Sequence, residues 1–334
     1  MAKPNFSVPP HDAAGSAARS TIAVHLRALI DQIPGAQRGE PEPVHQVRVA
    51  ARRLRSAVGL FAPYIASLRP KVMDARLKWL GAQAGVVRDL DVLGELLQQR
   101  GKKLDPQISK DLEPVFEEVR VRRAKAANDL ARSLASNRYK ALIARLSAPI
   151  AITHRGDAAF GAVAGNLFTP ILKSVIRAGE KMHEDPTPDD LHSLRKRAKA
   201  ARYSLEMMLA IDKKPLGEML EGLEELQDKV GEHHDAAGAV AWIKEFVGAR
   251  QLPGNVAFAC GALAEAFRRR EAKLKRRGIK EWNRFVKSNP ERAVRKALDK
   301  VQPPQISSPP ARGSSNDAVH HAPRTRRTAH TQGR

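Results

Sequence analysis

The stretch VHQVRVAARRLRSAVGLF at residues 44–61 returns as LHSLRKRAKAARYSLEMM at residues 191–208, an offset of 147 (191 minus 44). In both stretches apolar residues recur at spacings of three and four, which is typical of an amphipathic helix. The alignment matches four basic or titratable positions: His45 with His192, Arg48 with Arg195, Arg52 with Lys199, and Arg55 with Arg202. The repeat therefore predicts two equivalent helices, one in each half of the chain.

Each of these helices carries its four matched residues on one face. Successive residues turn by 100°, so the row that begins at His45 falls within an arc of about 80° and extends over about 15 Å. Like charges along one face repel unless an anion neutralises them. We interpret the two rows as an anion-binding face, with a solvated basic surface as the alternative. Arg53, Lys196 and Arg197 fall off the rows and are predicted to be ordinary surface charges.

A second motif follows each row, GVVRD at residues 85–89 and GEHHD at residues 231–235, at an offset of 146 (231 minus 85). Asp89 and Asp235 are predicted to orient an arginine or histidine of the neighbouring row. A salt bridge within the helical bundle is the alternative. Arg88, which precedes Asp89, is included in the predicted site.

The repeat continues into a third helix, where Glu118 matches Glu265 and Arg122 matches Arg269. Arg122 and Arg269 are predicted to extend the basic surface. Alternatively, each pairs with the glutamate four residues before it. Three successive matches at nearly one offset indicate an internal duplication.

The rest of the pattern predicts an all-α protein, two four-helix bundles related by duplication. The first helix is expected to stop near Pro34-Gly35, and one helix is expected over 108–135. The predicted organisation is a flexible N-terminus (1–12), a helical domain (13–300) with bundles at 13–148 and 156–300, and a disordered Pro/Ser/Arg-rich tail (301–334).

The charge points to a polyanionic ligand. The 334 residues include 58 Lys and Arg against 36 Asp and Glu, a net charge of +22. Nucleic acid, an anionic membrane surface and a phosphate polymer are the candidates. Aromatic residues make up 4% of the chain, which argues against a protein that stacks unpaired bases.

The single cysteine, Cys260, excludes a disulfide framework within the chain and favours a reducing cytoplasm. We find neither an apolar run of about 20 residues, as a membrane helix needs, nor a secretory signal. A metal site built on His192, His233 and His234 is not expected, because the first half has Val87 and Arg88 at the positions of His233 and His234.

These motifs resemble the CHAD family, the conserved histidine α-helical domain. The resemblance rests on HQVRVAARRLR from His45, GVVRDLDV from Gly85, LHSLRKRAKAARY from Leu191 and LQDKVGEHHD from Leu226. It implies a pseudo-two-fold pair of four-helix bundles with a basic central groove, inorganic polyphosphate as ligand, and association with polyphosphate granules in the cytoplasm. Many relatives carry a triphosphate-processing domain marked by ExExK. The nearest string here, EPEPV at residues 40–44, lacks the lysine, so a catalytic activity of that kind is not implied.

Together, the basic composition and this resemblance imply a non-enzymatic polyphosphate-binding protein with no catalytic residue, metal or cofactor. The residues expected to bind polyphosphate are His45, Arg48, Arg52, Arg55, Arg88, Arg122, His192, Arg195, Lys199, Arg202 and Arg269. A DNA- or RNA-binding protein of the bacterial-nucleoid type, or a regulator of polyphosphate metabolism, is the alternative. In the leading interpretation, nucleic-acid binding is at most weak.

Overall fold

A computed structural model of the chain describes residues 6–182 and 185–301. Over these residues the chain forms eleven α-helices and two short 3-10 helices, and no β-strand beyond isolated bridges. The α-helices are α1 (Ala14–Gln37), α2 (Pro41–Leu60), α3 (Pro70–Gly101), α4 (Pro106–Asp111), α5 (Glu113–Ala135), α6 (Asn137–Ser147), α7 (Phe160–Gly179), α8 (Pro188–Met208), α9 (Lys213–Gly248), α10 (Gly254–Lys287) and α11 (Pro290–Asp299).

Two of the predicted helix boundaries are wrong, and proline explains both. Helix α1 continues through Pro34 to Gln37, because the proline removes one backbone N–H near the end of a helix that still buries Ile33 and Ala36. Gly39, at a φ of 72°, follows it in the left-handed region. The helix expected over 108–135 is interrupted at Leu112, because Pro114 has no N–H to continue the hydrogen-bond ladder.

The two halves of the chain pack in a similar order. In the first half α1 contacts α2, α2 contacts α3, α3 contacts α5, and α5 returns to α1. In the second half α7 contacts α8, α8 contacts α9, and α9 contacts α10, with α11 against α7 and α9. Between the halves, α2 lies against α8 and α3 against α9. Helix α10 also contacts α3 and α4. The helices that carry the repeated motifs are therefore among those that meet between the halves.

Both hydrophobic cores draw on both halves. The larger one joins Leu54 and Leu80 of the first half to Phe168 and Leu205 of the second. The smaller one joins the C-terminal part of α3, including Leu97, to α9 and α10. The connection over 148–156 therefore does not separate two independent cores, and residues 6–301 form one compact unit.

The chain ends lie partly outside the described residues. Of the predicted flexible segment 1–12, residues 6–12 are described, and there Val8 is buried and its N–H donates to the carbonyl of Met207 at 2.9 Å. All of the predicted disordered tail except Val301 lies outside the described residues. Among the described helices, none is long and apolar enough to cross a membrane.

Candidate anion-binding site

The two predicted rows face one another where α2 meets α8. Arg48 and Arg52 of α2 come together with Arg195 and Lys199 of α8, and we call these four residues the central cations. Three adjoining cavities meet here: the His45 cavity of about 600 Å³, the His192 cavity of about 440 Å³, and an apolar cavity of about 630 Å³ that α3, α5 and α9 line. Each central cation lines two of the three.

The central cations are packed closely enough to disfavour their own charges. Burial, followed by repulsion from Arg52, lowers the pKa of Arg48. At Lys199, burial and the repulsion of Arg195, Arg52 and Arg48 lower the pKa to about 7. In the described residues, Arg52 and Lys199 have no carboxylate within 4.0 Å. An anion placed among these side chains would relieve this repulsion.

Each half supplies one carboxylate to the other two central cations. Asp89 of α3 lies 3.0 Å from Arg48 Nη2, and Asp235 of α9 lies 3.8 Å from Arg195 Nη2. One helical turn earlier, Gly85 and Gly231 face the same guanidinium groups, since an added Cβ would lie 3.5 Å and 3.6 Å from their Nε atoms. In the repeated Gly-x-x-x-Asp pattern, the glycine has no side chain to obstruct the arginine that lies against it. The aspartate one helical turn later is close enough to pair with the guanidinium of that arginine.

The two histidines that begin the rows have different surroundings. Neither ring nitrogen of His45 has a hydrogen-bond partner in the described residues, and burial together with the nearby Arg88 lowers the pKa of His45. His192 is exposed, and its ring centroid lies 5.4 Å from that of His234. His234 occupies the position that Arg88 has in the first half. Each row histidine therefore has a neighbour at the same position, but the neighbour is an arginine in the first half and a histidine in the second.

The described residues contain no group of three or more His, Cys, Asp or Glu side chains arranged to hold a metal ion. Burial, with Arg195 next in effect, lowers the pKa of His234 to about 4. His234 is therefore a neutral imidazole at neutral pH, able to donate one hydrogen bond and accept another.

The outer members of the rows lie at the edges of the cavities and are paired. Arg55 lines the His192 cavity, and its Nε donates to Asp74 at 2.9 Å. Arg202 lines the His45 cavity, 3.4 Å from Glu224 and 4.7 Å from the centre of the Tyr203 ring. These arginines extend the basic surface, but a neighbouring carboxylate partly neutralises the charge of each.

Arg122 and Arg269 each pair with the glutamate four residues before them, which was the alternative interpretation of the sequence. Arg122 donates to Glu118 at 2.7 Å and Glu245 at 2.9 Å, at the edge of the apolar cavity. Arg269 donates to Glu265 at 2.8 Å, in a separate groove on α10. The structure therefore brings Arg122 to the site and places Arg269 away from it.

Arg53 is not the ordinary surface charge that its position off the row predicts. Its side chain is 16% exposed and lies 3.2 Å from Glu206, which is 8% exposed, across the α2–α8 contact. The guanidinium of Arg53 also lies 5.6 Å from the centre of the Tyr203 ring. Arg53 therefore contacts α8 from beside the row instead of facing solvent. Lys196 and Arg197 are exposed.

The comparisons with known proteins identify the family and the fold. The CHAD domain family model matches residues 20–244. The crystal structure of the CHAD domain from the plant Ricinus communis is 25% identical and aligns with a TM-score of 0.68 over 84% of this chain and 96% of that one. PptA from Streptomyces chartreusis shares the fold, with a TM-score of 0.64 over 82% of this chain and 100% of that one. Its sequence is 16% identical. No curated protein matches. The chain belongs to the CHAD domain family.

Proposed function

We propose that the protein binds inorganic polyphosphate at the central cations, has no enzymatic activity, and associates through this site with polyphosphate granules. In this proposal the helices act as two four-helix bundles, and the groove between them holds the ligand. The observation that carries it is the meeting of four cations from two duplicated helices, with Asp89 and Asp235 as the carboxylates beside them.

A phosphate chain suits these cations chemically. It carries negative charge along its length and no bases, so it needs arginine and lysine rather than aromatic platforms. Arginine bridges two phosphate oxygens with two N–H groups, whereas lysine acts as a point charge. The Nε atoms of Arg195 and Arg202 and both ring nitrogens of His45 lack partners in the described residues. These atoms add hydrogen-bonding capacity around the central cations.

Nucleic acid is the second candidate, and the groove on α10 favours it. That groove has a volume of about 660 Å³ and is lined by Arg269, Arg270, Lys273 and Arg277 of α10, together with Arg100 of α3 and Lys103 just after α3. Exposed cations along one helix are the usual way in which a protein contacts the phosphates of a duplex. The two candidates therefore predict different surfaces: the central cations for polyphosphate and α10 for a duplex.

The test is a double substitution at the centre, Arg48→Gln with Arg195→Gln, measured by calorimetric titration with long-chain polyphosphate. Two lost charge-assisted contacts of about 1.5 kcal/mol each correspond to about a hundredfold weaker binding. The slope of log affinity against log salt falls in magnitude by about two. Helicity by circular dichroism remains that of the original protein.

The matched control is Arg177→Gln with Arg197→Gln, which removes the same charge from exposed positions of α7 and α8 that line none of the three cavities. We expect only a small loss of affinity in this control. Equal losses in the two double variants would reject the central site. Duplex DNA that displaces polyphosphate at matched phosphate concentration would favour the second candidate, and released phosphate would contradict the non-enzymatic part. A fluorescent fusion that misses granules would contradict the granule association.

A further inference from the structure

The apolar cavity is lined in part by aliphatic side chains, with which a bare phosphate chain makes no favourable contact. Val86, Leu90 and Leu93 of α3 line it, together with Ala239 of α9. Val86 is 54% exposed, so part of this aliphatic wall meets water. The other two cavities at the central cations are lined mainly by charged and polar side chains. A ligand with an aliphatic part is the chemistry that would benefit from this third cavity.

Charged residues also line the apolar cavity, and they include Asp129 besides the cations. Arg48 and Arg195 line it beside their carboxylates, and Lys125 of α5 lies on its wall. Lys125 has no carboxylate within 4.0 Å among the described residues. The cavity therefore joins an aliphatic surface to a group of cations, which is the complement of an anion with an aliphatic tail.

The aromatic residue in the cavity does not provide a stacking surface. Trp242 is stacked on Phe246, with ring centroids 5.4 Å apart, and the guanidinium of Arg122 lies 5.6 Å from its ring centre. With these two neighbours over its ring, Trp242 contributes mainly its edge to the wall. A nucleobase would therefore find no free aromatic face, whereas an alkyl chain needs none.

We propose that this cavity binds a single-chain alkyl phosphate, with the alkyl chain against Val86, Leu90 and Leu93 and the phosphate at Arg48 and Arg195. A volume of about 630 Å³ lies within the range of small-molecule sites. The proposal goes beyond polyphosphate binding and shares only the two arginines with it.

The first test is a calorimetric titration with butyl, hexyl and octyl phosphate below their micelle concentrations, beside inorganic phosphate. Each buried methylene contributes up to about fourfold in affinity, so octyl phosphate should bind at least about tenfold more tightly than butyl phosphate. Affinity that is independent of chain length would overturn the proposal.

The second test fills the cavity without touching the cations. Gly238 of α9 lines the cavity, and a Cβ added there meets no heavy atom of the described residues within 4 Å. Gly238→Leu should reduce octyl phosphate affinity at least about tenfold, because the leucine occupies the space of the chain. Gly217→Leu is the matched control, since Gly217 lies in α9 outside the cavity and is equally open. Equal octyl phosphate binding by the two variants would overturn the proposal.

Two further measurements separate the sources of ligand and the two functions. Vesicles containing phosphatidic acid test a membrane lipid, and sedimentation of the protein with them without binding of soluble octyl phosphate would overturn the proposal. Long-chain polyphosphate should bind Gly238→Leu as it binds the original protein. Loss of polyphosphate binding in Arg48→Gln with Arg195→Gln tests the proposed function, whereas Gly238→Leu tests the cavity alone.

Discussion

We predict that Lys199 makes the proposed polyphosphate binding dependent on pH near neutrality. The charged groups that face its ammonium are Arg48 and Arg52 from α2, Arg195 from its own helix, and Asp235 from α9. Burial and the three arginines lower its pKa to about 7, from an ordinary 10.5. A bound polyanion favours the ammonium form and raises this pKa. Binding therefore takes up a proton, and affinity falls as the pH rises through 7.

The size of the effect follows from the two protonation states. With a pKa of about 7 in the free protein, the ammonium is present in about three quarters of the molecules at about pH 6.5 and in about 3% at about pH 8.5. If binding restores the ordinary pKa, affinity falls about 25-fold over this interval through Lys199 alone. Burial and the neighbouring Arg195 lower the pKa of His234 to about 4, so His234 stays neutral over this interval. Burial and Arg88 lower the pKa of His45 below its ordinary value.

The assay is a calorimetric titration with long-chain polyphosphate at about pH 6.5, 7.5 and 8.5 and constant ionic strength. Long chains keep the titration of the chain ends negligible. Lys199→Arg is the matched variant, because its guanidinium stays charged throughout and every other titrating group remains. We expect the variant to lose most of the pH dependence and to bind more tightly than the original protein at about pH 8.5.

A single result would refute this reasoning: the same change in affinity with pH in the original protein and in Lys199→Arg. It would mean that Lys199 stays charged in the free protein across this range, or that its ammonium does not meet the ligand. Lys199→Met separates the two. Weaker binding by this variant at about pH 6.5 would show that the ammonium contributes, and unchanged binding would show that it does not.

Two further predictions concern the helices that hold the site. Glu206→Ala should lower the free energy of unfolding by about 3 kcal/mol in urea denaturation, because it leaves Arg53 buried without its partner. Arg53→Met with Glu206→Leu should recover most of this loss, and an unchanged midpoint for the single variant would refute the role of the pair. Gly39→Ala should cost about 1–2 kcal/mol, since its φ is 72° and its Cβ would lie 3.1 Å from that of Ala127. Gly217→Ala, in open space within α9, should be neutral or stabilising, and equal losses would contradict the argument.

Much of the helical framework could be predicted from the sequence, because the signals are local. Apolar spacing and the prolines at 41, 70 and 188 place α2, α3 and α8 within a few residues of their observed bounds. The repeat also identified Asp89 and Asp235 as partners of the rows, and both lie beside row arginines. The errors at Pro34 and Pro114 have one origin: a proline removes one hydrogen bond, and the surrounding packing decides whether the helix continues.

The sequence by itself determined which residues share a helix face, because the helical period fixes the angle of each side chain about its own axis. It could not determine which neighbouring helix covers that face. The α2–α8 contact placed the two rows together, buried Arg53 against Glu206, and left Arg269 on α10. Likewise, only the packing of the helices shows that Arg48 lies against Gly85, that Arg195 lies against Gly231, and that both arginines border an aliphatic cavity. Charge neutralisation and burial depend on distances between helices, which tertiary structure alone sets.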